Sequence, residues 1–377
     1  MIVNPFFLTN RIPAEYFCDR EKETDALMKG IVNQEHMVLM SRRRIGKTGL
    51  INHCFDTNEI ADSYYTISLD ILQTSSFREF VQVLGNATYR SVASRSDRLA
   101  KTFASALKSL TASFGYDPVS GIPTFNIKLG EIITPDYTLD EIFAYLESAD
   151  KPCIIAIDEF QQIIRYPEKN VEEILRSRIQ KLTNTHIIFA GSERRIISEM
   201  FLSSKRPFYQ SATCITLEAI APEAYCSFSQ AKFRENGKTL TKEAFDYIYD
   251  LFSGVTLYVH RVLHDCWYYV GEGGTCTVRD AETFANAFIQ ESGVRLKEQL
   301  SFISEPQKEL LYAICEEGEA TGITSGAFIK KHSLRSASAV QSATKALLES
   351  ELITKRGYNY SISDPMLKIW LSHKGQI

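Results

Sequence analysis

Five short apolar runs punctuate the first half of the chain: "HMVLM" (residues 36–40), "YYTISLDIL" (64–72), "PCIIAID" (152–158), "HIIFAGS" (186–192) and "TCITLEAI" (213–220). Each has strand length and many β-branched or aromatic residues, which predicts strands buried on both faces. The stretches between them carry a helical period instead. Leu50, Ile51, Cys54 and Phe55 fall on one helical face just after the first run. "TLDEIFAYLES" (138–148) puts Leu139, Ile142, Phe143 and Leu146 on one face and offers Thr138 as N-cap. Strands alternating with helices predict a three-layer α/β domain around a parallel sheet. "GIPTFNIKLGEI" (121–132) alternates with period two, as an inserted hairpin does.

After Pro222 the strand signals stop, and residues 222–303 carry helical periodicity throughout. From Pro306 the order changes again. A helix runs to about Glu317, a short one covers 325–332, and a third covers 336–349. A strand, a turn at Gly357 and a second strand follow. That is the order of a winged helix-turn-helix. The expected division is therefore an α/β domain over 1–221, an all-α lid over 222–303 and a winged helix over 304–377. In the third helix, Val340, Ala343, Leu347 and Leu348 form the expected buried face.

Composition adds limits. A chain of 377 residues is too long for one ordinary core. Its net charge of −4 gives no global sign of a nucleic-acid binder. Eight scattered cysteines, with no CxxC pair, are expected to be reduced core thiols in a cytoplasmic protein rather than zinc ligands. No apolar run is long enough to span a bilayer, and the first residues lack the pattern of a signal peptide. Charge is uneven. Residues 325–377 hold eight Lys or Arg against three Asp or Glu, a balance of +5, so the rest of the chain carries −9. This marks the C-terminal segment as a candidate contact surface.

The chemistry concentrates in "VLMSRRRIGKTGLI" (38–51). A strand that turns tightly into a helix leaves several backbone N–H groups pointing at one spot. With the positive end of the helix dipole, that nest holds phosphate oxygens. Lys47 can reach β- and γ-phosphates, and the Thr48 hydroxyl can ligate Mg2+. The third run ends in Asp158 and Glu159, at the carboxyl end of a strand, where ligands bind in parallel sheets. Asp158 suits the Mg2+ shell, and Glu159 suits orientation and deprotonation of an attacking water. Ser192 closes the fourth run; it is either a contact to γ-phosphate or water, or an ordinary loop serine.

Together these segments resemble the P-loop ATPases of the AAA+/STAND group, in particular the archaeal-type ATPase family. "IPAEYFCDREKETDAL" is similar to that family's aromatic–x–x–Arg–x–x–Glu motif. "SRRRIGKTGLI" resembles its Gly-x-Arg-Arg-Ile/Val-Gly-Lys-Thr loop, and "IIAIDEFQ" its Walker B strand. "IIFAGSERRIISEMF" resembles its sensor-1 segment, and "RPFYQSATCITL" the segment that follows. "SGVTLYVHRVL" is similar to its lid helix, and "YSISDPMLKIWL" to the end of its winged helix.

The resemblance implies an AAA+-like P-loop NTPase fold, ATP and Mg2+ as ligands, and ATPase activity. It implies a nucleotide loop of Ser41, Arg42, Arg43, Arg44, Ile45, Gly46, Lys47, Thr48 and Gly49. Phe17 and Arg20 are implied near the adenine or ribose; alternatively Phe17 is core and Arg20 pairs with Glu23. Arg194, Arg195 and Arg206 are candidates for an arginine finger, and each has a solvated reading beside it. Two positions depart from the family: Ser41 stands where a glycine is usual, and Thr256, which the resemblance places in the nucleotide site, stands where the lid motif Gly-x-Pro has a proline that packs near the adenine and so bears on base selectivity. A serine at position 41 costs energy if the backbone there needs positive φ, and little otherwise.

The winged helix offers Gln341 and Lys345 on its third helix, with Lys330, Lys331, Arg335, Lys355 and Arg356 for phosphates. Against DNA reading stand the arginine-free outer face of that helix and Glu349 at its end. Two functions are therefore carried forward. One is an ATP-binding, slowly hydrolysing switch that couples nucleotide state to the winged helix. The other is a DNA-binding regulator with a structural or degenerate nucleotide site. A protein partner or an oligomer fits either; a membrane fits neither.

Overall fold

The five apolar runs become five parallel strands: β1 (Met37–Ser41), β2 (Tyr65–Asp70), β3 (Cys153–Asp158), β4 (Thr185–Gly191) and β5 (Thr213–Leu217). Their spatial order is β2-β3-β4-β1-β5. This computed structural model describes residues 3–9, 11–109, 114–116, 123–125 and 127–374. The register pairs Asp70 with Asp158, Met40 with Gly191 and Ser41 with Leu217, so the carboxyl ends of the strands share one edge. The inner strands β1 and β4 are buried throughout, and β3 up to its last residue. The outer strands differ from expectation. β2 and β5 expose alternate residues, with Ser68, Asp70, Cys214 and Thr216 outward, because an edge strand is incompletely covered by the flanking helices.

Helix α1 (Glu21–Val32) precedes β1, and α2 (Lys47–Phe55), α3 (Pro135–Glu147), α4 (Val171–Ile179) and α5 (Arg194–Leu202) lie between the strands in sequence. Helix α3 begins a turn before the expected cap. Pro135 presets the first-turn φ, Thr134 is the N-cap, and Thr138 is buried inside the helix. The expected hairpin pairs Phe114–Tyr116 with Pro123–Phe125, so its first strand precedes the stretch that signalled it. Residues 121, 122 and 126 of that stretch lie outside the described residues.

The core reaches right under the strand ends. Phe160, the residue after Glu159, is fully buried against Phe189 (ring centroids 4.5 Å apart), Phe208 (5.3 Å) and Phe201 (6.1 Å). Burying one such ring contributes about 1.5–3 kcal/mol, which pins the backbone at the end of β3.

Contacts divide the chain into two compact units: Thr9–Ala219, and Met1–Leu8 with Ile220–Ile377. The second contains α6 (Pro222–Arg234), α7 (Lys242–Leu251), α8 (Thr256–Tyr269) and α9 (Val278–Ser301). The winged helix follows as α10 (Glu305–Glu317), α11 (Gly326–Lys331), α12 (Ala337–Glu349), β6 (Ile353–Arg356), β7 (Asn359–Ile362) and α13 (Pro365–Lys374). Ser325 and Ser336 cap α11 and α12, accepting from the Phe328 and Ala339 amides. On α12, Thr344 is buried beside Val340, Ala343 and Leu347, and Leu348 is only half-buried. The Thr344 hydroxyl donates to the Val340 carbonyl at 2.6 Å, which satisfies it inside the core.

Phe6 also packs in this unit, fully buried against Phe233 and Phe228. The helical bundle and the winged helix are locked together. The Tyr258 hydroxyl of α8 donates to both oxygens of Asp364, at 3.0 and 2.9 Å, just before α13. Among the described residues, no helix is long and apolar enough to cross a membrane.

Candidate nucleotide site

The loop from β1 to α2 is built on two left-handed residues, Arg44 (φ 65°) and Gly46 (φ 99°). Glycine tolerates that conformation and arginine pays for it. A side chain added at Gly46 would meet nothing within 4 Å, so the loop is open on that side. Ser41 is not among the positive-φ residues. It ends β1, is fully buried, and its hydroxyl donates to the Arg42 carbonyl at 3.0 Å. Replacing the family's glycine by serine therefore costs the backbone nothing.

The loop is held from behind. Arg20 is buried, and its guanidinium donates to the carbonyls of Ile45 (3.4 Å) and Glu218 (2.7 Å) while pairing with Glu23 at 3.1 Å. It thus straps the loop to the end of β5 and the start of α1. Arg43 pairs with Glu193 at 3.6 Å, and Arg165 pairs with the same carboxylate at 2.7 Å. Glu193 is buried, so this charge lives on its arginine contacts. Phe17, half-buried, stacks on His53 of α2 with ring centroids 3.9 Å apart and planes 2° apart. Burial pushes the His53 imidazole below its ordinary pKa.

On the open side, residues more than a hundred positions apart meet. The Lys47 ammonium pairs with Asp158 at 2.7 Å and lies 3.5 Å from Glu159. The Thr48 hydroxyl donates to the other Asp158 oxygen at 2.6 Å. The Ser192 hydroxyl donates to Glu159 at 2.7 Å. Asp158 turns back on the chain and accepts from the Glu159 amide at 2.8 Å, and Glu159 itself is left-handed at φ 56°. The set is well shielded: the side chains of Lys47, Asp158 and Glu159 are 7%, 15% and 16% exposed. Such a cluster concentrates charge at one point of the strand-end edge, where the field is strongest in a partly dry site.

Asp70 and Gln161 join it, and the motif left both aside. Asp70 ends β2 beside Asp158; burial and then the Asp158 and Glu159 charges raise its pKa. Its signal was the same as that of Asp158, a carboxylate closing an apolar strand. Gln161 and Glu193 carry no such signal, since each follows a recognised residue by one or two positions.

The other candidates make contacts of their own. Arg194 pairs with Glu218 at 2.8 Å, and Arg206 with Glu172, whose pKa burial raises. Arg195 is exposed and makes no ion pair among the described residues. Thr256 belongs to the other unit, where it is the first residue of α8. That is the position proline favours, and threonine fills it without disturbing the helix start. On the winged helix, Lys331 pairs with Glu317 (2.6 Å), Arg335 with Glu309 (3.8 Å) and Lys345 with Glu349 (3.9 Å). Gln341 and Lys330 are exposed. Lys355 lies over the Tyr360 ring at 5.2 Å, and Arg356 is exposed.

This fold and loop are those of a P-loop ATPase domain. A family model described as "ATPase domain predominantly from Archaea" matches residues 17–262, and the chain belongs to that family. A second model, "Probable winged helix domain", matches residues 295–373. Among solved structures, the chain is similar to the Walker-type ATPase PABY2304 of Pyrococcus abyssi. Identity is 17%, coverage 98% of this chain and 99% of that one, and the TM-score 0.70. It is also similar to the Aeropyrum pernix ORC2 protein in its ADPNP–ADP complexes, at 12% identity, 99% and 98% coverage and TM-score 0.63. No curated protein matches the chain.

Proposed function

We propose that this chain binds ATP on the Arg42–Thr48 loop, hydrolyses it slowly with Mg2+, and passes the nucleotide state to its winged helix. The observation that carries the reading is the meeting of Lys47, Thr48, Asp158, Glu159 and Ser192. In the nucleotide complex Lys47 would exchange its carboxylates for phosphate oxygens. The A. pernix relative solved with ADPNP and ADP is consistent with such a ligand. Thr48 and Asp158 fit Mg2+, because a hydroxyl and a carboxylate 2.6 Å apart are hard oxygen donors at one point. The ion supplies neutralisation of phosphate charge. Glu159 then orients water and accepts its proton, and Ser192 is released toward the γ-phosphate. Of the three arginines, Arg195 is the one with a guanidinium to spare for a neighbouring charge.

Coupling is supported by how the chain is tied. The helical bundle and winged helix share one unit, and the chain passes between units at 8/9 and at 219/220. The test is ATP turnover of the wild type beside Glu159→Gln, with nucleotide affinity measured in parallel. The expected result is turnover lowered by about 10²–10⁴-fold with affinity retained. Equal turnover in the two proteins would remove hydrolysis from the reading.

A second reading, nucleic-acid contact through the winged helix, draws on Lys330, Lys355 and Arg356. These are exposed and make no ion pair among the described residues. Tyr358 beside them is 88% exposed at the wing tip.

A further inference from the structure

Gln161, beside the strand-end carboxylates, is almost fully buried, at 1% exposure. It sits in the short helix Phe160–Arg165 that follows Glu159. Its amide nitrogen donates to Glu159 Oε2 at 2.5 Å, the same oxygen that accepts from Ser192. That contact fixes the orientation of the amide. An ionised carboxylate only accepts, so the nitrogen must face it and the carbonyl oxygen must face the other way. There Gln161 Oε1 is buried with no hydrogen-bond partner among the described residues. It lies so close to β4 that a Cβ on Gly191 would stand 2.6 Å from it. Glycine at position 191 makes room for this amide.

A fully buried glutamine with an orphaned carbonyl is a poor structural choice, since an apolar side chain of the same length would avoid the unpaired oxygen. Among the described residues its one polar contact is with Glu159. The other two donors on that carboxylate, Lys47 and Ser192, both have a second use once phosphate arrives. Gln161 has none, being too deeply buried to meet a ligand.

We infer that Gln161 is a positioning residue for hydrolysis: it holds the Glu159 carboxylate in place after Lys47 and Ser192 turn to the nucleotide. This rests on the ATPase reading above. The role predicts a split that packing alone does not produce. In Gln161→Met, which keeps volume and removes the amide, kcat falls roughly 10- to 100-fold, the scale of a misplaced reacting group. KM for ATP and the affinity for a fluorescent ATP analogue stay within about twofold, since Gln161 touches no ligand. The melting temperature is equal to or above that of the wild type, because the orphaned carbonyl is gone.

The full-length wild type, Gln161→Met and Glu159→Gln are measured together. Wild-type turnover no higher than that of Glu159→Gln overturns both the ATPase reading and this inference. Turnover that depends on Glu159 but is unchanged in Gln161→Met overturns this inference alone. So does a Gln161→Met protein that melts lower and binds nucleotide more weakly, which marks a structural residue.

Discussion

The two charged regions of this chain look alike in sequence and differ in construction. Around the phosphate loop, Lys47 meets carboxylates 111 and 112 positions away, and all three side chains are at most 16% exposed. On the winged helix, Lys345 meets Glu349 one helical turn on, and Lys331 meets Glu317 14 positions back, with the lysines 80% and 61% exposed. Charges that fold together from distant strands and lose most of their water are costly to assemble. Charges paired locally on a wet surface cost little and contribute little. The difference teaches where chemistry is to be expected: at the cluster the fold has paid for, and not simply where basic residues accumulate.

The strongest way to break this contrast is Lys47→Ala. It removes the cation from two partly buried carboxylates and the ligand for phosphate in one step. Nucleotide affinity is expected to fall by roughly 10²–10³-fold, the scale for losing a preorganised charged donor. Titration with a fluorescent ATP analogue checks it. Affinity close to wild type would mean that the cluster is a structural ion-pair network after all.

The contrast has a limit, because both units bury an imidazole. Burial, and then neighbouring His186, push His36 down to about 4. Burial, and then His264, do the same to His260, also to about 4. In the unfolded chain each takes up a proton near 6.5. The native state resists until about 4, so the stabilising effect is complete above 6.5 and is lost as pH falls toward 4. Each group should cost on the order of 3 kcal/mol over that window. Urea unfolding at pH 7 and pH 4.5 measures it, and equal midpoints would show that neither imidazole is held neutral.

Much of this was legible in the sequence. The central strands and the Gly-Lys-Thr turn follow from apolar runs and one short motif, because buried parallel strands and phosphate loops allow few alternatives. What stayed hidden depended on neighbours. β2 and β5 looked as apolar as the inner strands, and only the sheet order made them edges. Thr138 looked like a cap until Pro135 opened the helix a turn earlier. Glu193 carries no signal of its own in the sequence, yet Arg43 and Arg165 reach it from two other segments. Ser41 was either costly or harmless depending on its φ, and its place in β1, outside the positive-φ residues, makes it harmless. Ser41→Gly should therefore leave ATP affinity within about twofold and lower stability by about 0.5–1 kcal/mol, the cost of glycine in a strand. A large gain in affinity would show that the serine had impaired the loop.

The smallest effects belong to the outer face of α12. Lys345 pairs loosely with Glu349 at 3.9 Å, and both are exposed. Lys345→Ala should leave the melting temperature indistinguishable from wild type. The same substitution also sharpens the second functional reading. A cation already neutralised by its own helix has little net charge to offer a phosphate, whereas Lys355 and Arg356 on β6 have no carboxylate partner among the described residues to give up. If the full-length protein binds duplex DNA at low salt, Lys345→Ala should leave the salt dependence nearly unchanged. Lys355→Ala combined with Arg356→Ala should reduce the slope of log affinity against log salt by about two, one for each lost phosphate contact. A reversed pattern would return the contact to α12, and absence of binding at low salt would leave the winged helix as a protein-facing domain carried by the ATPase.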